Sequence, residues 1–154
     1  GVRVGVSGEQ AEAAFLALQK LFPEDAEGVL VEARVRDAAE CFIGIQQHPI
    51  FGPMVAVALG GVFIEIFRDV AIRLAPVSHA EAVTMLQSLQ GYPILQGVRG
   101  QKPRDIEALA ELVQQVSEIA AAGRDTIQEV DLNPVFVQAQ GSGVVIGDAL
   151  LVRK

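Results

Sequence analysis

The feature that most constrains this chain lies in its last quarter, where Glu129-Val-Asp131-Leu-Asn133-Pro134 is followed, across a short glycine-containing turn, by Val144-Val-Ile-Gly-Asp148. Apolar, β-branched runs flank Ala139-Gln140-Gly141-Ser142, the pattern of a β-hairpin. With Gln140 and Gly141 at the tip, antiparallel pairing sets Asn133 directly opposite Asp148, both on one sheet face. Opposed side chains have Cβ atoms roughly 5 Å apart, while two oxygens bound to one Mg²⁺ at about 2.1 Å stand at most about 4 Å apart, so the spacing fits a shared cation. Alternation predicts Asp131 and Glu129 on that same face, and Val130, Leu132 and Phe136 facing a core. An acidic, oxygen-rich strip suits a hard cation bound to phosphate oxygens. The same residue types also make the solvated face of an amphipathic strand, and spacing alone does not separate the two.

At 154 residues the chain is long enough for one domain with a sizeable core. Its single cysteine, Cys41, sits in an apolar run, which excludes a disulfide framework, argues against a nucleophile and points to a reducing compartment. No apolar run reaches the length of a membrane span, and no basic segment followed by an apolar stretch opens the chain. The net charge of −7, with lysines and arginines scattered, argues against a nucleic-acid surface. The expectation is a cytoplasmic protein without membrane or nucleic-acid partners.

Gly1-Val-Arg-Val-Gly-Val reads as a strand already under way, as in a piece of a longer polypeptide. Ser7 with Gln10 predicts a helix start, and Ala11, Ala14, Phe15, Leu18 and Leu21 recur at helical spacing up to Pro23. Gly28–Val35 and Glu40–Gln46 read as central strands. His48-Pro-Ile-Phe-Gly-Pro is a turn. A strand from Met54 meets Gly60-Gly61, and an alternating strand with Glu65 follows. Ser78 predicts a helix N-cap with Glu81 completing a capping box, which makes His79 an exposed first-turn residue. A helix over about 80–89 precedes a loop in which Arg99, between glycines, can meet an anion or simply solvent. From Pro103 to Ala122 a long helix is predicted, burying Ile106, Leu109, Ala110, Leu112, Val113, Val116 and Ile119, with Gly123 as its stop.

Asp131-Leu-Asn133-Pro134-Val135 with Gly147-Asp148, together with Leu59-Gly60-Gly61-Val62, Glu65 and Asp69-Val-Ala-Ile-Arg73-Leu-Ala-Pro76, resembles the ATP-grasp superfamily. Within it the chain is most similar to the NDP-forming acyl-CoA synthetases and the β subunit of succinyl-CoA synthetase, from Gly1 to Arg153. The resemblance implies an α+β fold, mostly antiparallel sheet covered by helices. Residues 1–154 would then be the C-terminal part of the nucleotide-binding domain, lacking its N-terminal subdomain and that subdomain's phosphate-contacting lysine. It implies Mg²⁺ held by Asn133 and Asp148, and ATP or ADP contacted at Glu32, at the Val35 hinge backbone, and at Glu40 for the ribose. Glu65 would be a supporting carboxylate or a structural partner of Arg68 or Arg73. The parent activity implied is an ADP-forming acid–CoA ligase of the acetate–CoA type, with this piece inactive alone. Its partner would be a CoA-binding, phosphohistidine-carrying domain or subunit, which rules out His48 as the carrier, and oligomerisation stays open. Two other readings remain: a synthetase-like regulatory module of a bacterial protein lysine acetyltransferase, and a non-catalytic interaction module. The acyl substrate is not legible.

Overall fold

A computed structural model describes residues 1–21, 28–60, 69–98 and 100–154, and the chain divides into two compact units, Gly1–Arg36 and Asp37–Lys154. Gly61, Glu65, Arg68 and Arg99 lie outside the described residues.

In the first unit, Ser7 opens a short 3₁₀ turn, Gly8–Gln10, that runs into α1, Ala11–Leu21. The Ser7 amide donates to Gln10 Oε1 at 3.3 Å and the Gln10 amide to the Ser7 carbonyl at 3.0 Å, as the Ser/Gln spacing predicts. Among the described residues α1 shows none of the expected packing within its own unit: Phe15 and Leu21 are exposed and no residue of the helix is buried. The strands expected over 1–6 and 28–35 are not formed among the described residues. A strand persists only where a neighbour takes its N–H and C=O groups, and neither segment has a ladder partner among the described residues.

The second unit is built on a sheet whose described strands are β1 (Ala39–His48), β2 (Gly52–Leu59), β3 (Val70–Leu74), β4 (Ile127–Val137), β5 (Val144–Ile146) and β6 (Ala149–Arg153). All pairs are antiparallel, in the order β3-β2-β1-β4, and β4 carries both β5 and β6 on its outer edge. The hairpin register is the one a Gln140–Gly141 tip dictates: Val137 faces Val144, Val135 faces Ile146 and Leu132 faces Ala149. Ser142 N donates to Ala139 O at 2.9 Å across that tip, where Gly141 takes φ +80°, a value L side chains rarely adopt.

One sheet face is covered by α2 (His79–Gln87) and α4 (Ile106–Ala122), which also pack on each other. Cys41, Ile43 and Ile45 point into this layer with Leu59, Val57 and Val55 beside them, and Leu109, Ala110, Val113 and Val116 close it from α4. Ser78 caps α2 with Glu81, as predicted, and Asp105 caps α4. Ile119, expected in the core, is 56 % exposed, because the buried stripe runs through Val116, Ser117 and Ala120 instead. Ser117 replaces an apolar residue without cost in unsatisfied polarity: its hydroxyl accepts from the Val77 amide at 3.0 Å and donates to Gln114 O at 2.7 Å. A short helix, α3 (Tyr92–Gln96), stands where only a loop was expected. The other face, bearing Glu40, Phe42, Gly44, Asp131 and Phe136, is not covered by these helices.

Candidate functional site

The site begins with an irregularity in β4. Along β1, Cys41 and Ile43 are separated by one residue; their partners on β4, Val135 and Leu132, are separated by two, Asn133 and Pro134. Such a two-against-one mismatch is a β-bulge, which shifts side-chain alternation by one and is common beside functional sites. The shift is visible in burial: Val130 and Leu132 are buried before the bulge, Val135 and Val137 after it. Phe136, expected to face the core, is therefore turned onto the uncovered face, a correction that simple period-two counting across Asn133-Pro134 cannot anticipate.

The outer neighbour of β4 breaks at the same place. β5 ends at Ile146, β6 begins at Ala149, and the two residues between them, Gly147 and Asp148, lie opposite Pro134 and Asn133. Backbone bonds still cross the gap, Asn133 N to Asp148 O at 3.2 Å and Gly147 N to Pro134 O at 2.8 Å. Asn133 and Asp148 are thus cross-strand neighbours. Continuing the alternation of Asp131 and its partner Leu150 puts both on the uncovered face. Both are exposed. One Asp148 carboxylate oxygen, Oδ1, accepts from the Ala149 amide at 2.8 Å, which fixes the side chain and leaves Oδ2 to point elsewhere.

An amide oxygen and a carboxylate are hard donors, and two protein ligands suit Mg²⁺, which keeps several waters and completes its shell with substrate phosphates. The donor set therefore fits such an ion. Among the described residues no group of three or more His, Cys, Asp or Glu is gathered as a metal cage.

Glu40 stands at the same corner. It opens β1 on the uncovered face, pairs with Phe136, and lies one strand over and two residues along from the bulge. With strands about 4.8 Å apart and about 3.4 Å per residue, Glu40 and Asp148 are roughly 12 Å apart along the sheet. Its backbone is held tightly: Gly60 N donates to Glu40 O at 2.7 Å, and a Cβ added at Gly60 would stand 2.9 Å from Glu40 Cβ. Glycine there is required by close approach. Glu32 is exposed and Val35 half-buried, both in the first unit and in non-strand backbone.

Other candidates resolve into packing. Burial pushes the Cys41 thiol up to about 12, so it holds little thiolate near neutral pH. His48 Nδ1 accepts from the amides of Ile50 and Phe51, both at 3.2 Å, and the ring stacks on Phe51, so the histidine shapes its own turn. His79 lies 3.4 Å from Glu107. Two surface hollows, one lined by His48, Arg124 and Lys154 and one by Tyr92, Arg104 and Glu107, include neither Asn133 nor Asp148 in their linings. Sequence reasoning missed Arg104 and Asp105, both buried, whose side chains tie separate segments together. An aspartate two residues after Pro103 and three before Ala108 is an N-cap signal that was available.

A family profile described as an ATP-grasp domain matches residues 1–152. The chain is 41 % identical over 132 residues to the β subunit of an ADP-forming acetate–CoA ligase II from Pyrococcus furiosus, covering 84 % of this chain and 56 % of that one. It is 37 % identical over 154 residues to an ADP-forming 4-hydroxybutyrate–CoA ligase from Nitrosopumilus maritimus, covering 96 % of this chain and 22 % of that one. It thus spans about half the length of the first relative and under a quarter of the second. Among solved structures, a dinucleotide-forming acetyl-coenzyme A synthetase 1 from Ca. Korarchaeum cryptofilum superposes with a TM-score of 0.85 at 34 % identity, covering all of this chain and 68 % of that one. That protein is in complex with coenzyme A and Mg-AMPPCP, its phosphohistidine segment pointing towards the nucleotide binding site. The profile match, the relatives' identity and the shared fold together establish that this chain belongs to the ATP-grasp family.

Proposed function

We infer that this chain is the nucleotide-binding part of an ADP-forming acyl-CoA synthetase of the acetate–CoA ligase type. The observation that carries the reading is the pairing of Asn133 with Asp148 where the β4 bulge meets the β5–β6 break, on the face and corner that also bear Glu40. The reaction interconverts acyl-CoA, ADP and phosphate with acid, CoA and ATP. A phosphohistidine from the CoA-binding partner delivers its phosphoryl group to this corner: the bond from imidazole nitrogen to phosphorus breaks as one forms from a β-phosphate oxygen of ADP.

The chain's own residues bind and orient. Glu40 accepts hydrogen bonds from the ribose hydroxyls, while Glu32 and the backbone at Val35 serve the base and its hinge. Asn133 and Asp148 would hold Mg²⁺ by oxygen, and the ion would supply neutralisation of phosphate charge. Phe42 and Phe136 give this corner an apolar floor beside Glu40. Because relatives acting on acetate and on 4-hydroxybutyrate share this fold portion, the acid is selected outside it.

The test is transfer from phosphohistidine to ADP in the complete synthetase, with Asn133→Ala and Asp148→Asn. Both variants should lose rate by at least about tenfold, corresponding to a charge-assisted contact of about 1.4 kcal/mol or more. Wild-type rates at ordinary Mg²⁺ in both would refute the assignment.

A further inference from the structure

Among the described residues of the second unit, Arg104 is the most deeply buried basic side chain, 6 % exposed. Its guanidinium donates to the backbone carbonyl of Asp37 through Nη1 and to the Asp37 carboxylate through Nη2 at 3.2 Å, while Nε is buried without a partner among the described residues. Asp37 itself is 81 % exposed at its side chain, so the pair draws little Coulomb energy from water-screened charges. A buried cation with one unsatisfied donor is commonly no more stable than an apolar residue of equal volume. What the contact does secure is geometry. Asp37 takes φ +52°, a conformation uncommon for a residue with a Cβ, and it immediately precedes the short lead into β1 and Glu40. Arg104 is itself fixed, since its amide donates to Leu95 O at 2.8 Å, it bridges to Ala139, and the neighbouring Asp105 caps α4.

Glu40 is therefore held from two sides: by Gly60 pressed against its backbone, and by Asp37, three residues earlier, clamped to the start of α4. We propose that Arg104 is a positioning residue which, through Asp37, sets the approach of Glu40 to the ribose of the bound nucleotide. The proposal rests on the reading of Glu40 as the ribose contact. Arg104 touches neither nucleotide nor phosphate; it fixes the turn from which Glu40 departs. Its loss should fall on KM for ADP, with kcat at saturation changed far less, and should erode discrimination against nucleotides lacking a ribose hydroxyl.

The experiment compares ADP with 2′-deoxy-ADP and 3′-deoxy-ADP in the complete synthetase, for wild type, Glu40→Gln, Arg104→Met, Arg104→Lys and Asp37→Gly, beside thermal melts. A hydrogen bond to a charged group corresponds to about ten- to hundredfold in kcat/KM. Glu40→Gln should lose most of the preference for ADP, and Arg104→Met a comparable part; Asp37→Gly, which keeps the backbone carbonyl contact but gives up the carboxylate contact and the restricted φ, should lose a smaller, measurable part. Arg104→Lys, with a point charge in place of the two-pronged fork, should lie between. Should Arg104→Met fail to fold, Asp37→Gly carries the test, because glycine accepts the positive φ and the replaced carboxylate is exposed. If Glu40→Gln abolishes the preference while Asp37→Gly and the folded Arg104 variants keep it, the clamp is refuted and the ribose assignment stands. If Glu40→Gln keeps the preference, the ribose assignment fails and the clamp with it. A fall in melting temperature with unchanged nucleotide preference would make Arg104 a structural residue and overturn the proposal.

Discussion

Removing the Asp105 carboxylate should destabilise the second unit more than any ordinary surface substitution. One oxygen accepts from the Ala108 amide at 3.3 Å as the N-cap of α4; the other accepts from the Gly143 amide at 2.7 Å, and the residue is 8 % exposed. Loss of an N-cap costs about 0.5–2 kcal/mol, and loss of a buried bond to a charged acceptor about 1.5–3 kcal/mol. Because one side chain makes both, the two overlap, and Asp105→Ala should cost about 3 kcal/mol. For a unit of this size that lowers the melting temperature by roughly 12 °C. Asp105→Ser keeps an oxygen for the cap but cannot span to Gly143, so it should recover about 1 kcal/mol of the loss. Urea unfolding, with the slope unchanged between variants, would measure all three proteins. An Asp105→Ala midpoint within 0.5 kcal/mol of wild type, or Asp105→Ser equal to Asp105→Ala, would refute the claim that this carboxylate joins α4 to the hairpin.

Three further expectations follow from features already described. Asp148→Asn in the complete synthetase should slow phosphoryl transfer strongly, with partial recovery at high Mg²⁺ and a stability change under about 1 kcal/mol, since the site is exposed; a collapsed melt would make Asp148 structural. Cys41, its thiol pushed up to about 12 and fully buried, should resist alkylation at pH 8 in the native protein and react in urea; rapid native labelling would contradict the packing. Glu81 is held below its ordinary 4.5 chiefly by the Ser78 amide and also by its hydroxyl, at 2.8 and 2.7 Å. Its folded value is the lower one, so its contribution is present above 4.5 and lost as pH falls through the folded value. An NMR titration midpoint for this carboxyl at or above 4.5 would remove the capping-box account.

Local signals carried much of this fold. The Gln140-Gly141 tip dictated the register that sets Asn133 against Asp148, because pairing propagates rigidly from a tight turn. The Ser78–Glu81 box and the apolar stripe of α4 were equally readable, since capping and helical period are written in a few neighbouring residues. What failed was whatever depends on distant partners. Among the described residues Gly28–Val35 has strand composition but no ladder and the Ser7 helix has an apolar stripe but nothing against it, and Phe136 turned over because a bulge opposite Phe42 is a property of two strands together. Arg104 was invisible for the same reason: its meaning lies in Asp37, sixty-seven positions away.

The hairpin that joins the two candidate metal ligands has a corollary for comparing relatives. On either side of its turn, the run from Asn133 to Gln138 and the run from Gly143 to Asp148 are locked to each other rung by rung, with Gln138 N bonded to Gly143 O at 3.1 Å as the last rung. Insertions and deletions are therefore tolerable between Ala139 and Ser142, where added residues merely lengthen a loop. A single residue gained or lost within either run would shift the reading frame of the ladder and carry the carboxylate to the opposite side of the sheet. Across homologous sequences, the number of residues separating the asparagine from the aspartate should vary through the tip alone, and an alignment that places a gap inside either run should be distrusted before the biology is.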